Sequence, residues 1–369
     1  MYDPPSPKVS VIVPTYNRAP LLQQAIDSIR AQTLADWELI IVDDGSNDTT
    51  PDVVRAVTQQ DSRIRFYRHT TNRGAATARN TAMKHAKGTY VAFQDDDDVS
   101  HPERLQKQAD YLDKHPHVVL LYAQPVDFRG DKPPPMSVYD ENHKKQISYA
   151  TLMGPRAIYQ QVPFRPFFVS SEDVDFCARV GEYCNRDERK TTHFEAVLQH
   201  TLYAYRVHSA HRLSRNRFCF ILSLLCWVSQ AHRAQGLKDP IDNAQTIDDA
   251  MDTITPQIPA YIDKYGFIKQ SITSLVLIYM TLPSTASPEE QDMAAYAKRL
   301  FVSCLPFFRY ASRYRPKYRS MFKSHMRKAI RHNRLDIYNN TLSLIVTYRL
   351  SPYFLVRLAP LVLFACIRH

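Results

Sequence analysis

Three short, near-continuous apolar runs set the terms for this chain. Val9-Ser10-Val11-Ile12-Val13, Trp37-Glu38-Leu39-Ile40-Ile41-Val42 and Tyr90-Val91-Ala92-Phe93 are rich in β-branched and aromatic residues, and each stops at a polar cluster. Helical spacing follows them: Leu21, Leu22, Ala25, Ile26 and Ile29 after the first, about Thr50 to Gln59 after the second, and an alanine-rich segment from Arg73-Gly74-Ala75 to about Ala86 before the third. Ile64 to Tyr67 and Val118 to Tyr122 read as further strands. Strands without polar alternation, separated by helices, are buried on both faces, so the pattern predicts an α/β fold: a mostly parallel, Rossmann-like sheet flanked by helices. Ligands of such sheets sit outside the carboxyl ends of the strands. Thr15-Tyr16-Asn17-Arg18, Asp43-Asp44-Gly45-Ser46 and Asp95-Asp96-Asp97-Asp98 all fall there and share one rim.

Four adjacent aspartates are costly, because like charges raise one another's pKa unless solvent, hydrogen bonds or a cation relieves them. Hard cations such as Mg²⁺ or Mn²⁺ prefer carboxylate oxygen and share it with substrate phosphates. The run therefore suggests a metal-diphosphate site. The plain alternative is local: Ser100-His101-Pro102-Glu103 has the form of a capping box, which would let Asp98 and Ser100 simply start a helix running to about Lys114. That reading leaves Asp95, Asp96 and Asp97 unexplained, and for these three a solvated acidic turn is the alternative to a metal site. Asp-Asp-Gly-Ser alone is an ordinary turn, and Arg79 alone an ordinary surface arginine.

Taken in order, V-S-V-I-V-P-T-Y-N-R, W-E-L-I-I-V-D-D-G-S, N-R-G-A-A-T-A-R-N and F-Q-D-D-D-D resemble the family 2 inverting glycosyltransferases, which have the A-type nucleotide-sugar-binding fold. The resemblance covers about residues 8 to 123 and continues more thinly to about 210. It implies that Pro14, Thr15 and Tyr16, with Asn17 beside them, line the nucleotide base, that Asp44 accepts a hydrogen bond from the uracil ring nitrogen, and that Arg79 lies near the base or diphosphate. Asp95-Asp96-Asp97 would match the family's D-x-D signature, with Asp97 a direct ligand of Mn²⁺ or Mg²⁺ and Asp95 nearer the ribose and metal. The chain departs from that signature by placing aspartate at 96 and again at 98.

Inverting displacement needs a base for the acceptor hydroxyl. Val169-Ser170-Ser171-Glu172-Asp173-Val174-Asp175 resembles the family's Glu-Asp motif at the head of a helix, which implies Asp173 as base and Glu172 as the residue that binds acceptor or orients the site. Serines and aspartates are also good helix caps, the alternative use of the same residues. Tyr205-Arg206-Val207-His208 follows a strand from Ala196 to Tyr205 and resembles a segment that closes the family's catalytic domain. His208 is a third metal ligand, a diphosphate contact or a structural histidine. Arg206 either neutralises phosphate or pairs with a carboxylate. The proline-rich stretch between about Phe128 and Pro155 is an acceptor-gating loop or an ordinary excursion.

The 369 residues divide, on this reading, into a catalytic domain over 1–212, a mainly helical region over 213–340 and an apolar tail over 341–369. Helical spacing recurs at Phe218, Ile221, Leu222, Leu225 and Val228, and again at Ile272, Leu275, Val276 and Tyr279. The net charge of +10 is concentrated, since ten Lys or Arg and no acid lie between Arg309 and Arg334. With the tail behind it, whose longest uncharged run is Leu358 to Ile367, too short to span a bilayer, this region either packs against the body or a second subunit or makes peripheral membrane contact, which the sequence favours over nucleic-acid binding. Loss of vesicle binding on removal of 341–369 checks this. The start of the sequence shows no secretory pattern, and the six cysteines form no framework, so a cytoplasmic location and reduced thiols are expected.

The expected activity is a metal-dependent transferase moving a sugar from a nucleotide sugar, with UDP favoured, to a saccharide or lipid-linked acceptor of a cell-surface polymer. Two rivals differ in a visible way. A sugar nucleotidyltransferase on the same scaffold would carry a glycine-rich loop after the first strand, and residues 14–20 contain no glycine. A non-catalytic nucleotide or anionic-surface binding protein would be indifferent to Asp173→Asn.

Overall fold

The computed structural model describes residues 6–133, 148–168, 171–186, 194–207, 225–226, 228–229, 232–233 and 237–255. The apolar runs form strands β1 (Val9–Thr15), β2 (Trp37–Asp43), β3 (Ile64–Arg68) and β4 (Tyr90–Phe93). β1 lies between β2 and β4, with Val9 opposite both Trp37 and Tyr90, and β3 flanks β2; all of these pairings are parallel. Period-two alternation splits the strand side chains between two cores. Val11, Val13, Leu39, Ile41 and Ala92 face the helices α1 (Ala19–Arg30), α2 (Thr50–Gln60) and α4 (Arg104–Lys114) through Leu22, Ile26, Val54, Leu105 and Leu112. Ile12, Ile40, Val42, Val91 and Phe93 face α3 (Ala75–His85) and α6 (Glu172–Arg186) through Ala78, Ala82, Phe176 and Val180.

Beyond β4 the sheet becomes mixed. It has eight strands in the order β3-β2-β1-β4-β7-β6-β8-β5, where β5 is Val99–Ser100, β6 Leu120–Phe128, β7 Met153–Pro155 and β8 Glu195–Arg206. β7 is antiparallel to β4 and β6, β8 runs parallel to β6, and β5 is antiparallel to β8. The parallel sheet read from sequence is thus the half carrying the first three polar clusters, and the other half joins the long strands β6 and β8 to β7 and β5, of three and two residues. Short β7 leads directly into helix α5 (Arg156–Tyr159). Gly154 makes β7 possible, because a Cβ there would collide with the Val119 carbonyl oxygen and the Tyr159 hydroxyl.

One local expectation is corrected. Ser100 does not cap a helix: it lies in β5, its hydroxyl donates to Gln94 Oε1 at 2.6 Å, and α4 begins four residues later behind Glu103, with no side-chain cap hydrogen bond. Pairing with β8 and a buried polar network outweigh the local capping pattern. Asp98 likewise starts no helix.

The chain divides into two compact units, Met1–Arg212 and Leu213–His369. In the second, residues 225–226, 228–229 and 232–233 are helical with Leu225 and Val228 buried. Helix α7 (Ile247–Ile254) opens with a complete capping box between Thr246 and Asp249. No helix among the described residues is long and apolar enough to cross a membrane. The helix expected at 272–279, the basic segment 309–334, the tail 341–369 and residues 134–147 of the proline-rich stretch lie outside the described residues.

Candidate functional site

The loops after β1 and β2 are fastened side by side. Asn17 takes a left-handed conformation (φ 51°), which asparagine tolerates better than most residues. Its N–H donates to Ser46 Oγ at 2.9 Å, its side-chain oxygen accepts from the Asn47 N–H at 2.9 Å, and the Arg18 N–H donates to Thr50 Oγ1 at 3.0 Å. Pro14 and Thr15 finish β1, and Tyr16 stands exposed beside them (41%). Asp44 is 3% exposed, and its carboxylate accepts the N–H groups of Arg73 (2.9 Å) and Gly74 (2.6 Å). His69 bridges Asp44 (2.6 Å) and Thr81 (2.9 Å). Asp44 therefore organises the turn that opens α3, a task that its place in a strand-end cluster does not reveal.

The four aspartates after β4 separate into two kinds. Asp98 is fully buried, and its carboxylate accepts the Arg206 N–H at 2.7 Å. Burial, with the nearby charge of Asp97, raises its pKa well above the usual carboxylate range. Asp95, Asp96 and Asp97 stay partly exposed. Their backbone is held from beneath: Gln94 donates to the carbonyls of Asp95 and Asp98 at 3.0 Å each, and the Asp95 N–H donates to the Tyr203 hydroxyl at 3.2 Å. Fully buried Arg104 donates to Phe93 O (2.6 Å), Gln94 Oε1 (3.0 Å), Ser100 Oγ (2.9 Å) and Gln108 Oε1 (3.1 Å), and lies over the Tyr203 ring. Arg206 holds the Asp97 carbonyl (2.7 Å), Gln24 (2.7 Å) and the Gly130 carbonyl, with its guanidinium over Phe128. Its guanidinium thus supports the acidic loop through a backbone carbonyl, a contact that the sequence does not suggest.

Across the cleft, Ser171 has a positive φ of 61° and α6 begins at Glu172, so Glu172 and Asp173 occupy its first turn rather than its cap. Arg79 on α3 links the two sides, donating to Glu172 and, at 3.3 Å, to Asp95. Burial opposes the Arg79 charge, but Glu172 and Asp95 outweigh it and raise the pKa. Asp173 accepts the Val174 N–H at 2.7 Å. Burial, then the charge of Glu172, pushes its pKa up to about 7 against the opposing pull of Arg79. Asp95 is pushed up to about 6 by burial, with Arg79 opposing and Asp97 adding to the rise, and Asp96 up to about 7 by burial and Asp97. Arg79, Phe93, Asp95, Tyr149, Phe164 and Asp173 line one cavity of about 30 Å³. Its apolar wall is the stacked pair Phe164 and Phe176, 4.2 Å between ring centroids.

No group of three metal-binding side chains is gathered among the described residues, and His208 lies outside them. The available donors are carboxylate oxygens, and Arg18 reaches two of them, Asp96 at 4.0 Å and Asp97 at 3.8 Å. Such a set fits a Mg²⁺ or Mn²⁺ ion that completes its shell with diphosphate oxygens and water. Arg104, Gln94 and Tyr203 were not anticipated as parts of the site. A signal existed for the first: Arg104 and Gln108 sit four apart on the same face as Leu105 and Leu112, a polar pair on a buried stripe.

The family model described as glycosyl transferase family 2 matches residues 10–170. Among curated relatives, the Bacillus subtilis protein EpsE, named as a glycosyltransferase, is 43% identical over 116 residues, 31% of this chain and 42% of that protein. Bacillus subtilis TuaG, named as a teichuronic acid biosynthesis glycosyltransferase, is 42% identical over 106 residues, 29% of this chain and 42% of that protein. The chain thus spans less than half the length of these relatives. The crystal structure of S. aureus TarS 1-349 in complex with UDP-GlcNAc aligns with a TM-score of 0.50 at 18% identity, covering 84% of this chain and 93% of that one. Residues 10–170 thus resemble glycosyl transferase family 2, and the likeness of the sheet to that of TarS shows the A-type fold.

Proposed function

We propose that this protein is a metal-dependent inverting glycosyltransferase that moves a sugar from a nucleotide sugar, a UDP-sugar above others, to a hydroxyl of a saccharide or lipid-linked acceptor in cell-surface polymer synthesis. One observation carries the reading. Asp95 at the end of β4 and Asp173 at the head of α6 line the same small cavity, and Arg79 ties Asp95 to the neighbour of Asp173. A diphosphate held at one carboxylate would present its sugar to the other.

Asp173, poised near neutrality, takes the proton of the acceptor hydroxyl as that oxygen bonds to the anomeric carbon. The bond from that carbon to the phosphate oxygen breaks on the opposite face, and the diphosphate leaves with the electron pair. A divalent cation held by Asp97 and Asp95 would supply the charge that stabilises this leaving group. In this reading Tyr16 stacks on the base and the loop around Asp44 reads it. The TarS complex holds UDP-GlcNAc, and TuaG and EpsE are named as glycosyltransferases, which supports a nucleotide-sugar donor and an envelope acceptor for this chain.

Thermal unfolding with UDP, GDP, CDP and dTDP, each with and without Mn²⁺, tests the reading. The nucleotide of the donor, at about 100 times its dissociation constant, stabilises by about 2.7 kcal/mol only when metal is present, and Asp97→Asn removes the effect. Absence of any metal-dependent stabilisation would leave the binding-protein rival in front.

A further inference from the structure

Four arginines surround the acidic loop, and Arg18 stands apart from the other three. Arg104 and Arg206 are buried and donate to carbonyls and neutral side chains, and Arg79 is almost enclosed between Glu172 and Asp95. Arg18 is one-third exposed (33%) and stands 4.0 Å from Asp96 and 3.8 Å from Asp97, beyond hydrogen-bond distance. Its backbone, by contrast, is fixed: its N–H is bound to Thr50, and the preceding left-handed Asn17 is fastened to Ser46 and Asn47. A rigid anchor carrying a loosely held guanidinium lets the charge relocate while the loop stays in place.

We propose that Arg18 is an exchangeable counter-ion. In the donor-free protein it neutralises Asp96 and Asp97. When Asp97, with Asp95, takes a divalent cation, the Arg18 guanidinium turns to the diphosphate oxygens of the donor and supports the leaving group. The chemistry favours arginine, whose planar fork matches phosphate oxygens in pairs. This role rests on the transferase reading above.

The role makes a prediction of opposite signs. In Arg18→Gln, Mn²⁺ binds the nucleotide-free protein more tightly, by about two- to fivefold, because a competing cation is gone. UDP binds the Mn²⁺-loaded protein more weakly, by about tenfold, because a charge-assisted contact is gone. Mn²⁺ is followed by its EPR signal and UDP by calorimetry, on the full chain. Arg18→Lys keeps the charge and loses the fork, so Mn²⁺ affinity stays as in the unmodified protein while UDP affinity falls by less than in Arg18→Gln. Weakening of both ligands in Arg18→Gln would mean a structural role, and unchanged Mn²⁺ affinity would mean no competition; either result overturns the proposal. If the unmodified protein binds neither Mn²⁺ nor UDP, the transferase reading fails first and Arg18 with it.

Discussion

The floor of the cleft and its rim use the same residue types in opposite ways. On the floor, Arg104 and Arg206 donate to backbone carbonyls and to glutamine and serine oxygens, and the one carboxylate there, Asp98, accepts a backbone N–H. On the rim, Arg18 and Arg79 face carboxylates that keep partial access to solvent. Floor contacts fix where the backbone runs, and no ligand could replace them without unfolding the loop. Rim contacts are charge pairs, which an incoming cation and an anionic diphosphate can exchange one for one.

The comparison is sharpest at Asp173. Asp173→Asn lowers kcat by about 10² to 10⁴-fold, the range of a general base, while calorimetric binding of UDP with Mn²⁺ is unchanged. A loss confined to stability would place Asp173 with the floor. Next in size is Arg104→Met, which leaves several buried acceptors without donors and lowers the unfolding free energy by about 3 kcal/mol in urea titration. Arg18→Gln, on the rim, changes it by less than about 1 kcal/mol. Equal losses from the two arginines would erase the distinction.

Smaller still is the pH effect. The base must be ionised, and Asp173 is pushed up to about 7, so kcat/KM falls toward about tenfold per pH unit below that value. Arg79 favours the ionised form, so Arg79→Gln moves this acid limb to higher pH. A limb that stays in place would separate Arg79 from the base. The smallest change is expected from Asp98→Asn. The amide oxygen still accepts the Arg206 N–H, and burial already disfavours the charge that the substitution removes, so stability shifts by less than about 1 kcal/mol. Mn²⁺ binding that collapsed in this variant would move Asp98 to the rim.

Much of the rim was legible in the sequence and little of the floor. β1 to β4 and the helices between them follow from apolar period, and the polar residues at the strand ends follow from where ligands sit in such sheets. The floor depends on partners far apart in sequence: Arg206 reaches Asp97, Gly130 and Gln24, and Arg104 reaches back to Phe93. β5 and β7 carry too few residues for any periodicity. Ser100 shows the reverse failure, a clear local capping pattern overridden by strand pairing and a buried hydrogen bond. Asp44 reads as a polar strand end and, by resemblance, as a base contact, but nothing in its neighbourhood signals that Arg73 and Gly74 turn their N–H groups onto it.

β8 carries a practical consequence. Tyr203 and Arg206 stand near the end of this strand and hold the acidic loop, yet the family match stops at residue 170. A chain cut there would keep every aspartate of the loop and the first polar clusters, and lose the keystone that sets their spacing. The unit recognised by similarity is therefore shorter than the unit that can hold the acidic loop in shape, and the working boundary lies beyond Arg206.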